Sequence, residues 1–240
     1  MLQRTNAFGA AMYKESFDKL RKEQPFLNLN DAIYTFLLNE IVNMHIPPGT
    51  VLSETSLADD FNCSRTPVRT ALLKVQDSQL VSEAARGYIV NPVSSDEILK
   101  LLDVRAAMES YAAYLAAMRI TAEELEQLDE CRRAYKTAFL KRDYDSLAIN
   151  DQHFHHMIIV GAHNEILEDS YRNVEPRISH YRYYNNHVSS PSVLNRVYEA
   201  CVRQHDTIYN AIRLGFRDTA REAALQNILE MNNIIVQWNM

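Results

Sequence analysis

The sequence predicts a mainly α-helical fold, and three observations carry that reading. Only five glycines occur in 240 residues, too few for the turns that a β-rich domain of this size needs. Apolar residues recur at helical spacing over most of the chain, and helix starts and stops (Ser, Thr or Asn caps, Pro restarts, Gly ends) fall between those stretches. Hydrophobic residues make up 47% and charged residues 23%, a balance that supports a folded core and excludes a disordered chain.

Residues 1–28 read as an N-terminal extension, polar and charged, with a short helix near Phe8–Lys22 ended by Pro25. From Leu29 to Met44, Ile33, Phe36, Leu37, Ile41 and Val42 make a helical stripe, and Pro47-Pro48-Gly49 forces a turn. Ser53 to Phe61 is a short helix with Ser53 as its N-cap. Ser64 opens a third helix in the same way. Pro67 sits in its first turn, where a missing N–H costs little, and Ala71, Leu72 and Val75 form its buried side. Leu80–Val81 and Gly87–Val90 read as two short strands around a tight turn, and Pro92 with Ser94-Ser95 forms a linker. Residues 29–93 are therefore one module.

Residues 94–240 read as helix to the end. Asp96–Met118 comes first, and Thr121 with Glu124 forms a capping box for a helix reaching about Leu140. Tyr144–Val160 ends at Gly161, and Asn164 caps the next helix. Pro176 kinks or restarts it. Ser190-Pro191 opens a helix to Leu214, Gly215 stops it, and Asp218–Trp238 is the last.

Composition narrows the function classes. The glycine count leaves no room for a P-loop or a dinucleotide fingerprint. Three cysteines, Cys63, Cys131 and Cys201, have no close pair, which excludes a disulfide framework or zinc ribbon and fits a reducing cytoplasm. No apolar run approaches the ~18 residues that span a bilayer, and the first residues break into charge too early for a signal peptide. Net charge is −6, which argues against a generally basic nucleic-acid coat. One basic island stands out: Arg65, Arg69, Lys74 and Arg86 against Asp77 and Glu83.

Three short helices closed by a hairpin make a winged helix-turn-helix, in which the second helix of the turn pair enters the DNA major groove. That helix begins Ser64-Arg65-Thr66-Pro67-Val68-Arg69. Arg65 and Arg69 are four apart and share a face, and an arginine bridges guanine O6 and N7 with two bonds. The Ser64 and Thr66 hydroxyls suit phosphate oxygens. Arg86-Gly87 at the hairpin tip allows close approach to the minor groove. An isolated arginine pair is more often a solvated face; the order of elements gives this one its DNA reading.

The run Ile46-Pro-Pro-Gly-Thr-Val-Leu-Ser-Glu54, then Leu57-Ala-Asp-Asp-Phe61, Ser64-Arg-Thr-Pro-Val-Arg69 and Arg86-Gly-Tyr-Ile-Val90 resembles the GntR family of bacterial transcriptional regulators. The resemblance implies that Arg65 and Arg69 contact the operator, with Ser64 at the phosphate and Gly87 in the wing. Thr55 stands where some relatives carry Arg, and Asn62-Cys63 where Gly-Val is usual.

In the rear module Asp151 and His155 lie one above the other on a helix face, the spacing at which two side chains share a cation. His205 and Asn227 lie at equal distances from the turn at Gly215-Phe216, so they face each other across an antiparallel helix pair. One carboxylate, two imidazoles and an amide suit Zn²⁺, Ni²⁺, Mn²⁺ or Fe²⁺. Buried or surface histidines without a metal are commoner than such sites. His153 and His156 point away from the Asp151–His155 face. Tyr181, Tyr183 and Tyr184, beside His180 and Arg182, either line a small-molecule pocket or pack in the core or a dimer interface.

Residues 96–235 resemble the FCD effector domain of the FadR subfamily within the GntR regulators, through Arg105-x3-Glu109, Asp151-x-x-Phe154-His155, Gly161-x-x-Asn164 and His205-x5-Ala211-Ile212. The resemblance implies Asp151, His155 and His205 as metal ligands, with Asn227 where a fourth His is usual, and Arg105 near an acid ligand. On the residues alone, Arg105 is equally a helix-surface ion pair with Glu109. The expectation is a homodimeric, cytoplasmic regulator binding palindromic double-stranded DNA, controlled by a small carboxylate effector in a helical, metal-containing pocket. The alternative is a metal-dependent enzyme built on the Asp/His cluster.

Overall fold

A computed structural model describes residues 7–238, with side chains over 13–230; residues 1–6 of the expected extension lie outside the described residues. The chain divides into two units, Met1–Val93 and Ser94–Met240. The order of elements in the first is α1 (Ala7–Glu23), α2 (Leu29–Val42), β1 (Val51–Leu52), α3 (Glu54–Asp60), α4 (Arg65–Asp77), β2 (Val81–Ala84) and β3 (Gly87–Val90).

Asn28 caps α2 by accepting the Asp31 N–H at 3.0 Å, and Ser53 caps α3 by accepting from Ser56. Ser64 occupies the N-cap position of α4 but its side chain makes no capping bond. Ile33, Leu37 and Ile41 of α2 and Val68, Ala71, Leu72 and Val75 of α4 are fully buried and form the core of this unit. A fully buried Leu, Ile or Val side chain contributes roughly 1.5–3 kcal/mol. The first helix joins that core: the Phe17 ring lies 5.6 Å from Phe36 and 4.5 Å from Phe61, centroid to centroid.

The sheet has three strands in the order β1-β3-β2, all antiparallel. The two expected strands are present. The third, β1, is only two residues long, too short to show a period of two in the sequence. The turn at Gly49 (φ +82°) lays it onto β3, with Gly49 N–H donating to Val90 O at 2.9 Å. Gly87 opens β3 with φ +94°, and a Cβ there would lie 2.3 Å from Leu52 O. Only glycine allows β1 and β3 to meet at that point.

The second unit is α5 (Ser95–Arg119), α6 (Ala122–Lys141), α7 (Tyr144–Gly161), α8 (Glu165–Arg172), α9 (Glu175–Val188), α10 (Pro191–Arg213) and α11 (Arg217–Trp238). The capping box is complete: Thr121 N–H donates to Glu124 Oε2 at 2.9 Å and Glu124 N–H to Thr121 Oγ1 at 3.2 Å. Pro176 restarts a helix instead of kinking one, because a proline in the first turn of α9 has no carbonyl to clash with. Gly215 turns the chain at φ +72° between α10 and α11. α7 packs against α5 and α6, and its inward face carries Leu147, Phe154, Ile158 and Ile159. The same face carries His155, and so delivers a polar side chain into the helical core.

Candidate functional site

In the first unit, Ser64, Arg65, Thr66 and Arg69 are all exposed while Val68, Ala71 and Leu72 are buried. The period of α4 thus separates a packed face from a polar one. Glu54, at the start of α3, holds the arginines: Arg65 Nη2 donates to its Oε2 at 3.0 Å, and Arg69 Nε lies 4.0 Å from its Oε1. Sequence reading missed Glu54, because the contact spans eleven residues across a turn that no periodicity reports. Lys74 belongs to the basic island by sequence but pairs with Asp31, so the polar face is carried by Arg65 and Arg69. Arg86 is exposed at the wing tip.

In the second unit, Asp151, His155 and His205 converge: one ligand atom from each lies within 4.8 Å of the others. His205 Nε2 is 3.3 Å and His155 Nε2 is 3.7 Å from Asp151 Oδ1. Phe154 stacks on the His205 ring at 4.1 Å and fixes its plane. Nε2 of the His205 ring faces Asp151 out of hydrogen-bond alignment and its buried Nδ1 has no hydrogen-bond partner among the described residues, a costly state for a polar group unless something binds there. Asn227 is buried on α11, and its Nδ2 donates to Gln204 Oε1 at 2.7 Å. That bond leaves its Oδ1 as the atom suited to a cation; the mirror placement about Gly215-Phe216 puts Asn227 opposite His205, and the bond is to the residue before it.

The Arg105–Glu109 pair is present but is not on the helix surface. Both residues are buried, with Nε–Oε1 at 2.7 Å and Nη2–Oε2 at 3.2 Å. The helix stripe of α5 continues through these two charged positions, so polarity alone misplaced them. Glu109 also accepts from the Tyr171 hydroxyl at 2.7 Å, and its Oε2 lies 2.7 Å from His155 Nδ1. A carboxylate behind one imidazole nitrogen sets the ring's orientation and leaves Nε2 facing the site. Burial pushes the Glu109 carboxyl up, but Arg105 and then His155 outweigh it and hold the acid far below the usual carboxylate range.

Arg182 of α9, named in the sequence only as a neighbour of the tyrosines, enters the site itself. Its Nε lies 2.6 Å from Asp151 Oδ2. Burial raises the Asp151 carboxyl, yet Arg182 first and the imidazoles after it hold it well below its ordinary value. His205 is shifted down, chiefly by burial, with Asp151 only partly offsetting it; the ring is therefore neutral near pH 7 and keeps a lone pair for a metal.

A narrow cavity of about 20 Å³ runs between these groups, lined by Arg105, Asp151, His155, Tyr181, Arg182 and Asn227 among others. It has room for an ion or a water. Cys201 also lines it, but burial pushes its thiol up to about 12, so it stands there as a neutral group. Tyr181 lines the cavity, whereas Tyr183 is buried elsewhere in the packing. His153 is exposed, and His156 pairs with Glu175 at 3.1 Å, off the site.

Comparison with known proteins agrees with both halves. Residues 29–87 match the bacterial regulatory proteins of the gntR family, and residues 100–230 match the FCD domain. The chain is 30% identical over 221 residues to the HTH-type transcriptional repressor RspR of Escherichia coli, covering 91% of this chain and 92% of that protein. It is 25% identical over 190 residues to the gluconate operon transcriptional repressor of Bacillus licheniformis, covering 78% and 76% of the two chains. The solved structure of Escherichia coli McbR/YncC superposes with TM-score 0.77 at 20% identity, over 90% of this chain and all (100%) of that one. Among the described residues no helix is long and apolar enough to cross a membrane. A helix-turn-helix module with an exposed arginine face, joined to a helical unit with a buried polar pocket, places this chain in the GntR family, as a transcriptional regulator with an FCD effector-binding domain.

Proposed function

We propose that this regulator is a cytoplasmic homodimer that reads a palindromic operator in double-stranded DNA, and that a small carboxylate effector bound in the helical pocket sets its operator affinity. Ser64, Arg65, Thr66 and Arg69 read or hold the major-groove side, and Arg86 with Gly87 serves the wing. Asp151, His155 and His205 hold a divalent transition metal (Zn²⁺, Ni²⁺, Mn²⁺ or Fe²⁺), with Asn227 as a weaker fourth donor.

The observation that carries this reading is the convergence of three donor atoms within 4.8 Å around a buried histidine whose ring meets no well-aligned hydrogen-bond partner among the described residues. The donor set fits the metal: a carboxylate held ionised, an imidazole held neutral, and an imidazole oriented by Glu109. A bound divalent ion would supply a fixed positive charge for an acid ligand in a largely buried pocket. A relative named for a gluconate operon supports a carboxylate as the effector class. A metal-dependent enzyme on the same cluster is the weaker reading, since it leaves the arginine face of α4 without a task.

The test is His205→Ala. It should abolish metal binding and blunt the effector response, while leaving operator affinity without effector nearly unchanged. A variant that keeps a full effector response would contradict the proposal.

A further inference from the structure

The guanidinium of Arg182 has no use in the structure that matches its cost. The residue is 6% exposed, and its Nη1 and Nη2 atoms are buried without a hydrogen-bond partner among the described residues. Among the described residues its ion pair is with Asp151, approached through Nε at 2.6 Å without hydrogen-bond alignment. An arginine buried with both fork nitrogens unspent is expensive. The hydroxyl of Tyr181, the preceding residue, is likewise buried without a hydrogen-bond partner among the described residues, and both side chains line the cavity. Arg105 is differently placed, since two of its three nitrogens are already bonded to Glu109.

Charge decides when such a group becomes available. Without a metal, Arg105 and Arg182 are balanced by Glu109 and Asp151, and the neutral pocket offers an anion no net attraction. A divalent ion on Asp151, His155 and His205 makes the pocket doubly positive and takes over the carboxylate that Arg182 now faces.

We propose that Arg182, with the Tyr181 hydroxyl, is the seat for the effector's carboxylate, and that in the empty pocket Arg182 acts as a latch by competing with the metal for Asp151. The planar fork of a guanidinium matches the two oxygens of a carboxylate. The cavity of about 20 Å³ is too small for an organic acid while Arg182 rests on Asp151, so binding requires the latch to open. Metal and acid therefore bind with positive coupling, and each strengthens the other by the same factor. This inference deepens the metal and effector reading above and rests on it.

Calorimetry on the full chain, stripped with chelator, tests it with Ni²⁺ alone and then with acetate, malonate, gluconate or inorganic phosphate. The variants are Arg182→Gln and Arg182→Lys, each checked for a wild-type circular-dichroism spectrum; the lysine variant stands in should the glutamine variant not fold. The wild type should bind a carboxylate at least tenfold more tightly once Ni²⁺ is present. Arg182→Gln should bind Ni²⁺ several-fold more tightly than wild type, because its competitor for Asp151 is gone, and should lose carboxylate binding at least tenfold. Arg182→Lys keeps the charge but lacks the fork, and should also lose carboxylate affinity. A merely structural arginine would weaken Ni²⁺ and carboxylate together, and that result overturns the proposal. So does carboxylate binding that survives in the folded variant, no binding of any carboxylate by the wild type, or binding of phosphate alone. A wild type that binds carboxylate through Arg182 but takes no Ni²⁺ overturns the metal reading and the latch, and leaves the seat standing.

Discussion

Glu109 shows how one side chain organises a pocket. It is fully buried and receives Arg105, Tyr171 and His155 at once. Glu109→Gln leaves Arg105 without a counter-charge in the interior, which costs ~3–5 kcal/mol, measurable by denaturant unfolding. The same contacts fix the acid response. Glu109 and Asp151 are depressed in the folded state, so the stability they supply is present above their unfolded values near ~4 and is lost as pH falls below them. His205 is depressed too. The unfolded chain takes up that proton first, so a smaller loss begins as pH falls through ~6.5. Stability should therefore fall in two stages on acidification, and Glu109→Gln should flatten the lower one. An unchanged acid profile in that variant would contradict the assignment.

At the scale of single elements, α4 carries the DNA reading. Arg65 and Arg69 project from the face opposite Val68 and Leu72 and are both tethered to Glu54. Arg65→Ala and Arg69→Ala should each weaken specific operator binding by ~1–3 kcal/mol, read by fluorescence anisotropy, with no change in melting temperature. Full affinity in both variants would remove α4 from the recognition role. The helices themselves were legible from the chain because caps and breakers mark their ends: Thr121 with Glu124, Asn164, Pro176, Pro191 and Gly215 all act where expected. Asp151 and His155 were legible because four-residue spacing on one helix is local. Arg182 was not, since α9 buries Ile178 through Tyr183 without a break, and no periodicity then says which side chain meets a cavity. The burial of Arg105 and Glu109 was hidden for the opposite reason: their charge suggests a surface that tertiary pairing overrides. The docking of α1 through Phe17 was missed because a polar, charged helix gives no sign that one ring is its anchor.

For the whole molecule, the two units have separate cores and separate tasks, one holding an arginine face and the other a polar pocket. A palindromic operator asks for two-fold symmetry, and a helical unit with its own core is the natural place for the self-contact. Residues 94–240 alone should sediment as a dimer, and residues 29–93 alone as a monomer that binds DNA weakly; a monomeric helical fragment would contradict this. The account as a whole turns on whether the pocket holds a metal. Metal content by elemental analysis, after loading the chelator-stripped full chain with Ni²⁺ and removing the excess, is the most direct measurement. The account predicts about one equivalent per chain in the wild type at neutral pH, falling only as pH drops below the ordinary imidazole value of ~6.5, because His205 is shifted down, and none in His205→Ala. A wild type with no bound metal, or a His205→Ala variant with as much as the wild type, would contradict it.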